Sequence, residues 1–335
     1  MKSNHLGLAL VMIIVVIFSA CNSSDKEPPD VSDIDVSLQI TRWDQQLFQL
    51  STKEEVAGFL NEHRLFGEEF LHVDQYPHDS LAVNYLLNFL SNPGSKVLQQ
   101  EIEEVFGDMS DLQQEFQQAF QYLKNYYPQS QVPRIYTAVT GFSGNDLYVS
   151  DSVIIVGLEY YLGDSATYRP LDFPNYILKR YRPEYIVPSS VLLLSTPYNR
   201  SPFEDQTMLA EMIYFGKAYY FSQQILPFAT DSLLIGYSGQ DLTNVYNNQD
   251  VIWAHFVEKK LLYETSHFTK KKYMDERPTT VEIGNKCPGR IGEWLGWQIV
   301  MKYMKENPQI SLDQLMESED VQGIFTQSRY KPPNR

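Results

Sequence analysis

The segment from Cys287 to Met304, CPGRIGEWLGWQIVMKYM, constrains the fold more than any other stretch of the chain. Pro288 suits the first turn of a helix, and glycines follow at positions 289, 292 and 296 along one helical face. A glycine inside a helix costs about 1 kcal/mol relative to alanine, so three of them need a physical reason. Close approach by another helix is the simplest reason. We therefore predict a helix over 288–306 that packs tightly against a second helix.

A second segment, LAEMIYFGKAYYF at 209–221, has the frame of a zinc-peptidase helix without its ligands. In that frame two histidines flank a glutamate, but here Ala210 and Tyr214 stand at the histidine positions beside Glu211. Alanine has no lone pair, and tyrosine binds zinc only rarely. The sequence therefore predicts no metal, no cofactor and no catalytic residue on this helix.

The remaining histidines offer no replacement pair. After the first twenty residues they stand at positions 63, 72, 78, 255 and 267, and none is four residues from another. The first three fall in or beside a loop region, where we expect them at the surface. Gly-x-Ser-x-Gly and phosphate-loop signatures are also absent from the sequence, and Cys287 carries no signature of a catalytic thiol.

Five polar residues on the two segments are candidates for one groove or buried polar network. They are Glu211, Tyr214, Lys217, Arg290 and Glu293. A carboxylate beside a tightly packed groove needs a partner, and either Lys217 or Arg290 can provide it for Glu293. We favour a buried or half-buried ion pair. The alternative is a metallopeptidase-like hydrolase with a degenerate site around Glu211 and Glu293.

The N-terminus predicts a lipoprotein signal peptide over residues 1–20. An apolar run after Lys2 is too short to span a bilayer comfortably, and small residues lead to Cys21. Ser19-Ala20-Cys21 resembles the lipobox of bacterial lipoproteins, in which the cysteine is acylated and becomes the new N-terminus. An ordinary secretory signal that ends near a cysteine is the alternative. Acylation at Cys21 would anchor the protein to a membrane of the cell envelope.

Charge and cysteine content narrow the partners and the source of stability. The formal net charge of −15 disfavours nucleic acid and direct contact with anionic lipid head groups, so we expect membrane contact through lipid. If Cys21 is acylated, Cys287 is the only thiol left. No intramolecular disulfide can then form, and stability must come from packing.

Periodicity predicts an α+β fold that is mainly helical with one small antiparallel sheet. Residues 21–32 have the composition of a flexible tether, and residues 33–335 are predicted to form a single domain. A short N-terminal strand in DVSLQITRWD and runs at Arg134–Val139 and Leu147–Gly157 provide the sheet. Helices are predicted at 52–65, 80–91, 94–106, 110–127, 172–181, 184–195, 203–224, 242–264, 288–306 and 311–327.

Several stretches taken together resemble the GldB gliding motility lipoproteins of Bacteroidota. They are ITRWDQQLF at 40–48, VGLEYYLGDSATY at 156–168, MIYFGKAYYF at 212–221, the run from 235 to 265, the segment at 287–304 and YKP at 330–332. The resemblance covers about residues 33–332. It implies a membrane-attached lipoprotein that serves gliding with other Gld proteins, a process tied to type IX secretion. It carries over one residue with a role, the acylated Cys21.

We therefore expect a non-enzymatic lipoprotein that acts through contacts with other gliding or secretion proteins. The order of a β-rich part, the Glu211 helix and the Glu293 helix also resembles a zincin-like scaffold. A degenerate peptidase scaffold of that kind would keep a groove able to bind an extended peptide by strand addition. A glycan-capturing surface lipoprotein is a second alternative, although the chain is short for that class.

Overall fold

Helices dominate the computed structural model, which describes residues 27–332. The α-helices within this range are α1 (Trp43–Leu47), α2 (Lys53–Glu62), α3 (Asp79–Leu90), α4 (Pro93–Phe106), α5 (Ser110–Tyr126), α6 (Asn175–Leu178), α7 (Ile186–Leu194), α8 (Met208–Ile225), α9 (Asp231–Ile235), α10 (Gly239–Asn247), α11 (Gln249–Glu258), α12 (His267–Met274), α13 (Ile291–Glu306), α14 (Leu312–Glu317) and α15 (Val321–Ser328). Short 3₁₀ helices lie at Val73–Gln75, Leu158–Tyr161, Pro183–Tyr185, Thr196–Tyr198 and Leu261–Tyr263, and a π-helix spans Phe66–Phe70.

One small sheet accompanies the helices, which confirms the predicted mainly helical α+β class. Its strands are β1 (Ile40–Arg42), β2 (Arg134–Ala138), β3 (Leu147–Val149) and β4 (Val153–Gly157), in the spatial order β1-β2-β4-β3. The sheet is mixed where we expected antiparallel pairing, because β1, β2 and β4 run parallel and β3 alone is antiparallel. The chain reverses direction inside the run at 147–157, where the hydroxyl and amide of Ser150 form hydrogen bonds with Val153. The run therefore forms a hairpin, and its second half, β4, lies parallel to β2.

The centre of the fold is the crossing of α8 and α13, and it has the close contact that the glycines predict. A Cβ atom on Gly296 would collide with the carbonyl group of Met212, and one on Gly216 would collide with the backbone of Gly296. Trp294 and Trp297 of α13 are fully buried at this crossing. The two backbones therefore touch directly, and any side chain at these glycines would force them apart.

The N-terminal helices agree closely with their predicted bounds, while several later ones differ. The helix predicted at 203–224 starts only at Met208, where the Thr207 hydroxyl accepts the amide N–H of Ala210 and caps it. The helix predicted at 242–264 is divided into α10 and α11 and ends before Lys260, which is left-handed with φ of 56°. The helix predicted at 288–306 begins at Ile291.

The expected tether already contributes to the packing at its C-terminal end. Val31 is buried in the core, and the Gln121 side chain of α5 donates a hydrogen bond of 3.0 Å to the carbonyl of Ile34. The predicted signal peptide and Cys21 lie outside the described residues. Among the helices that are described, none is long and apolar enough to cross a membrane.

Candidate functional site

Glu211 lies on the solvent side of α8 and is held by a lysine from α12. Its carboxylate forms an ion pair with Lys270, whose side chain is 5% exposed while that of Glu211 is 40% exposed. The Lys270 ammonium also donates to the carbonyl of Gln206 at 2.8 Å. Lys270 therefore joins α12 to α8 through Glu211 and to the residue two positions before α8 through Gln206, which is a structural task.

Lys217 is buried one and a half turns further along α8 and serves as a clamp. Its ammonium donates to the carbonyls of Arg200, Met316 and Ser318 at 2.5, 3.2 and 2.9 Å. Burial lowers the pKa of Lys217 to about 8. Tyr214, one turn earlier, takes part through its backbone, because its carbonyl accepts the Asn199 amide at 2.8 Å. Neither residue contacts Glu293.

Glu293 lies instead in a second polar cluster, at the start of α13. Its carboxylate accepts the Tyr219 hydroxyl at 2.7 Å and lies 3.6 Å from the Arg290 guanidinium. The same guanidinium donates to the Tyr219 oxygen at 2.9 Å and approaches Glu276 at 2.9 Å. Glu276 in turn pairs with Arg180 at 2.7 Å. Of the two partners proposed for Glu293, the structure uses Arg290.

Backbone geometry explains why Arg290 reaches inward. It has a left-handed conformation with φ of 56°, directs its guanidinium to the carbonyl of Ile235 at 2.7 Å and lies over the ring of Tyr237. Burial raises the pKa of Glu293, an effect that the neighbouring Arg290 charge opposes. The cluster joins the chain before α10 to the start of α13.

The five sequence candidates therefore divide between separate clusters. The Glu293 carboxylate meets α8 at Tyr219, which is eight residues, or about 12 Å of helix, beyond Glu211. Glu211 pairs with Lys270 and Glu293 with Arg290, so the two carboxylates do not meet in one site. Across residues 27–332, no group of three or more histidine, cysteine, aspartate or glutamate side chains is arranged to hold a metal ion.

The histidines expected at the surface have mixed environments. His78 is exposed, but His63 and His72 are half-buried. The ring of His63 packs 4.7 Å from Trp43, and His72 forms a hydrogen bond of 3.1 Å with Asn145.

A further buried carboxylate, Glu159, lies at the carboxyl ends of β2 and β4. One of its oxygens accepts the amide and hydroxyl of Thr140 at 2.7 and 2.9 Å, while the other has no hydrogen-bond partner within residues 27–332. The adjoining cavity has a volume of about 10 Å³, which is room for a single water molecule. Burial raises the pKa of Glu159. Glu159 therefore orders the loop that follows β2.

A second concave surface is a groove that sequence reasoning did not find. It has a volume of about 240 Å³ and lies among α5, α7 and the connection from α8 to α9. Its lining residues are Glu115, Gln118, Ala119, Tyr122, Glu184, Val187, Pro188, Ile225, Leu226, Pro227, Phe228, Ala229 and Leu233. Phe228 is 67% exposed at its mouth and meets the ring of Tyr122 edge-on.

One rim of this groove is acidic. Glu115 and Glu184 line it, and Glu184 is paired with Arg182 at 3.1 Å. Glu115 has no ion pair or hydrogen bond within the described residues, and partial burial together with the charges of Asp111 and Glu184 raises its pKa. The groove thus combines an apolar floor with a carboxylate that lacks a cation.

The groove also lies beside the point where the N-terminal segment enters the fold. Asp30 is close enough to Tyr122 to raise the pKa of its phenol, in addition to the larger effect of burial. In the sequence, Glu115 stands among glutamines on the polar face of α5, and nothing local indicates that α7 and the end of α8 meet it. The groove arises only from packing between distant parts of the chain, which local sequence patterns do not reveal.

Comparison with known proteins gives one match. The family model described as "Gliding motility protein GldB" matches residues 24–332, nearly the whole chain. No curated protein and no solved structure matches the chain.

Proposed function

The chain belongs to the GldB gliding motility protein family, and on that premise we propose a lipoprotein anchored through Cys21 that acts without catalysis. It works by binding another protein of the gliding or secretion machinery in the cell envelope. The anchor places it on a membrane, and the folded domain supplies the binding surface.

The observation that carries this proposal is the groove of about 240 Å³ among α5, α7 and the end of α8. Its floor is apolar and Phe228 stands largely exposed beside it, so a ligand that covers both would remove apolar surface from water. Tyr122 of the groove lies close to Asp30, which is nine residues after the proposed anchor at Cys21. A partner in or near the same membrane is therefore within reach.

The chemistry of the rim specifies the partner further. Glu115 has no cation of its own among the described residues, and its neighbours Asp111 and Glu184 add negative charge. A lysine or arginine on the partner would satisfy it, while apolar side chains of the same segment fill the floor. The partner segment is thus amphipathic and basic.

The non-enzymatic part of the proposal is supported by the partners of the two candidate carboxylates. Glu211 is paired with Lys270, and Glu293 with Arg290 and Tyr219, on different parts of α8. Peptide cleavage by the purified protein that is lost in Glu211→Gln, together with stoichiometric zinc acquired without added metal, would overturn it.

In-cell photo-crosslinking tests the groove directly. A photoreactive residue at Gln118, on the rim, should crosslink to one envelope protein, while the same residue at the exposed Gln240 of α10 should not. Charge reversal in Glu115→Lys should abolish the crosslink, and Glu104→Lys, an exposed glutamate on α4, should leave it intact. Equal crosslinking in both charge variants would refute the groove as the binding surface.

Anchoring is tested separately by Cys21→Ala. The variant should leave the membrane fraction, and gliding or secretion should fail although the domain stays folded. Full function from an exported, unacylated protein would show that the anchor is irrelevant, whatever the crosslinking experiment gives.

A further inference from the structure

A surface near the N-terminal end of α8 is basic, although the chain as a whole is acidic. The chain has 27 lysines and arginines against 42 acidic residues, yet residues 259–272 contain five lysines and a single glutamate. One of the five, Lys270, is buried against Glu211. The other four are exposed.

Packing makes neighbours of the two helices beside which these lysines lie. The His255 ring of α11 bonds the Tyr273 hydroxyl of α12 at 3.0 Å, and the rings of Phe256 and Tyr273 lie 5.3 Å apart. Lys259, just after α11, is near enough to His255 to lower its pKa, although burial is the larger cause. The end of α11 and α12 are therefore neighbours, in contact through the buried side chain of Tyr273.

Aromatic side chains stand among the lysines. Phe268 is 83% exposed and Tyr263 is 62% exposed. Phe268 is three and four residues from Lys271 and Lys272, so the three share one face of α12. Phe203, 93% exposed, lies in the loop before α8, which is tied to α12 by the bond from Lys270 to the Gln206 carbonyl.

Two exposed acids, Glu258 and Asp275, border the lysine segment, and two others near it are occupied. The Glu264 carboxylate accepts the amides of Thr265 and Ser266 at 2.9 and 2.8 Å. Glu282 pairs with Arg277 at 3.1 Å. The four exposed lysines have no ion-pair partner within the described residues.

We propose that Lys259, Lys260, Tyr263, Phe268, Lys271 and Lys272 form a basic–aromatic face that docks on an anionic lipid surface. Lysines near such a surface are attracted by its negative potential, and aromatic rings partition to the boundary between head groups and acyl chains. The face thus adds a charge-dependent membrane contact, where the net charge of the chain alone predicts none. It is separate from the groove, because it lies at the N-terminal end of α8 and the groove at the C-terminal end.

The test uses the mature protein with a fluorescent label at Thr265→Cys, beside Phe268. The protein also carries Cys21→Ser, and Cys287 is 7% exposed, so the new thiol is the one that reacts. Vesicles of phosphatidylcholine with about one third phosphatidylglycerol should shift the label's emission to the blue in low salt, and pure phosphatidylcholine should not. Because Cys21→Ser removes the acyl anchor, the shift reports binding by this face alone.

A charge-matched pair of variants decides the outcome. Lys271→Gln/Lys272→Gln should raise the lipid concentration for half-maximal shift about tenfold or more. Lys302→Gln/Lys305→Gln on α13, which removes the same charge elsewhere, should change it little. Circular dichroism checks that each variant is folded.

Three results would overturn the proposal. They are an equal shift with neutral and anionic vesicles, an unchanged midpoint in Lys271→Gln/Lys272→Gln, and a protein-concentration-dependent shift without vesicles. The last would mean that a second copy of the acidic chain covers the face.

Discussion

Lys217 illustrates what sequence can and cannot assign at the scale of one residue. Its position on an apolar helix suggests burial, and Lys217 is 2% exposed. Opposite charge makes Glu293 a candidate partner for it. The structure gives it three backbone carbonyls instead, from residues 200, 316 and 318. Sequence patterns do not reveal which loops end beside a helix, so the identity of these acceptors could not be predicted.

Cys287 provides a residue-scale prediction about reactivity. Burial raises the pKa of its thiol to about 12 from an ordinary value of 9.0. At pH 8 the folded protein should therefore hold about a thousandfold less thiolate than an exposed cysteine, and it should react correspondingly slowly with a disulfide reagent. Urea should restore the ordinary rate. Fast reaction of the native protein, absent in Cys287→Ser, would contradict the buried position.

Glu159 gives a prediction about pH. Burial raises the pKa of its carboxyl above the ordinary 4.5, so the folded state binds the proton more tightly than the unfolded state. The stability contributed by Glu159 is complete below about pH 4.5 and is lost as the pH rises through the folded-state pKa. Glu159→Gln should lack this loss. The free energy of unfolding in urea should be measured for both proteins at pH 5 and pH 8. From pH 5 to pH 8 that of the wild type should fall relative to that of the variant.

If the difference between the two proteins stays constant across that range, the Glu159 carboxyl does not titrate differently on folding. The comparison is internal, so other groups that titrate over the same range cancel.

At the scale of elements, two glycines should respond oppositely to alanine. Gly296→Ala would place a methyl group against the Met212 carbonyl and should destabilise the fold by about 3 kcal/mol or more, since two helix backbones must separate. Gly58→Ala in α2 meets nothing within 4 Å and should stabilise it by about 0.5–1 kcal/mol. Thermal or urea unfolding measures both. Similar effects at the two sites would remove the evidence for close backbone contact.

Elements were predictable wherever their signal is local. The bounds predicted for α5, 110–127, differ from the observed ones by one residue, because its apolar positions repeat with helical spacing and all of them are buried. The helix predicted at 242–264 runs past the end of α11, because a lysine at position 260 does not indicate a left-handed backbone. The parallel pairing of β2 with β4 depends on where the chain returns to the sheet, which strand composition does not encode.

The whole molecule is expected to unfold as one unit. A single buried cluster runs from Val31 to Tyr330, and Lys217 binds the segments before α8 and after α14 to the central helix. Far-ultraviolet circular dichroism, tryptophan fluorescence and Cys287 reactivity should therefore give the same urea midpoint. Distinct midpoints would divide the predicted single domain into independently folding parts.

The family and the mainly helical class were accessible from sequence because they rest on many ordered segments at once. The groove was not, because α5, α7 and the end of α8 contribute to it from three distant parts of the chain. Its unpaired Glu115 resembles any solvated glutamate until its neighbours are known.

The direct backbone contact between α8 and α13 has a mechanical consequence. Because the two backbones touch at Met212, Gly216 and Gly296, the crossing sets how α8 and α13 lie against each other. A force that acts to shear one of these helices past the other would be opposed by the packed backbones themselves.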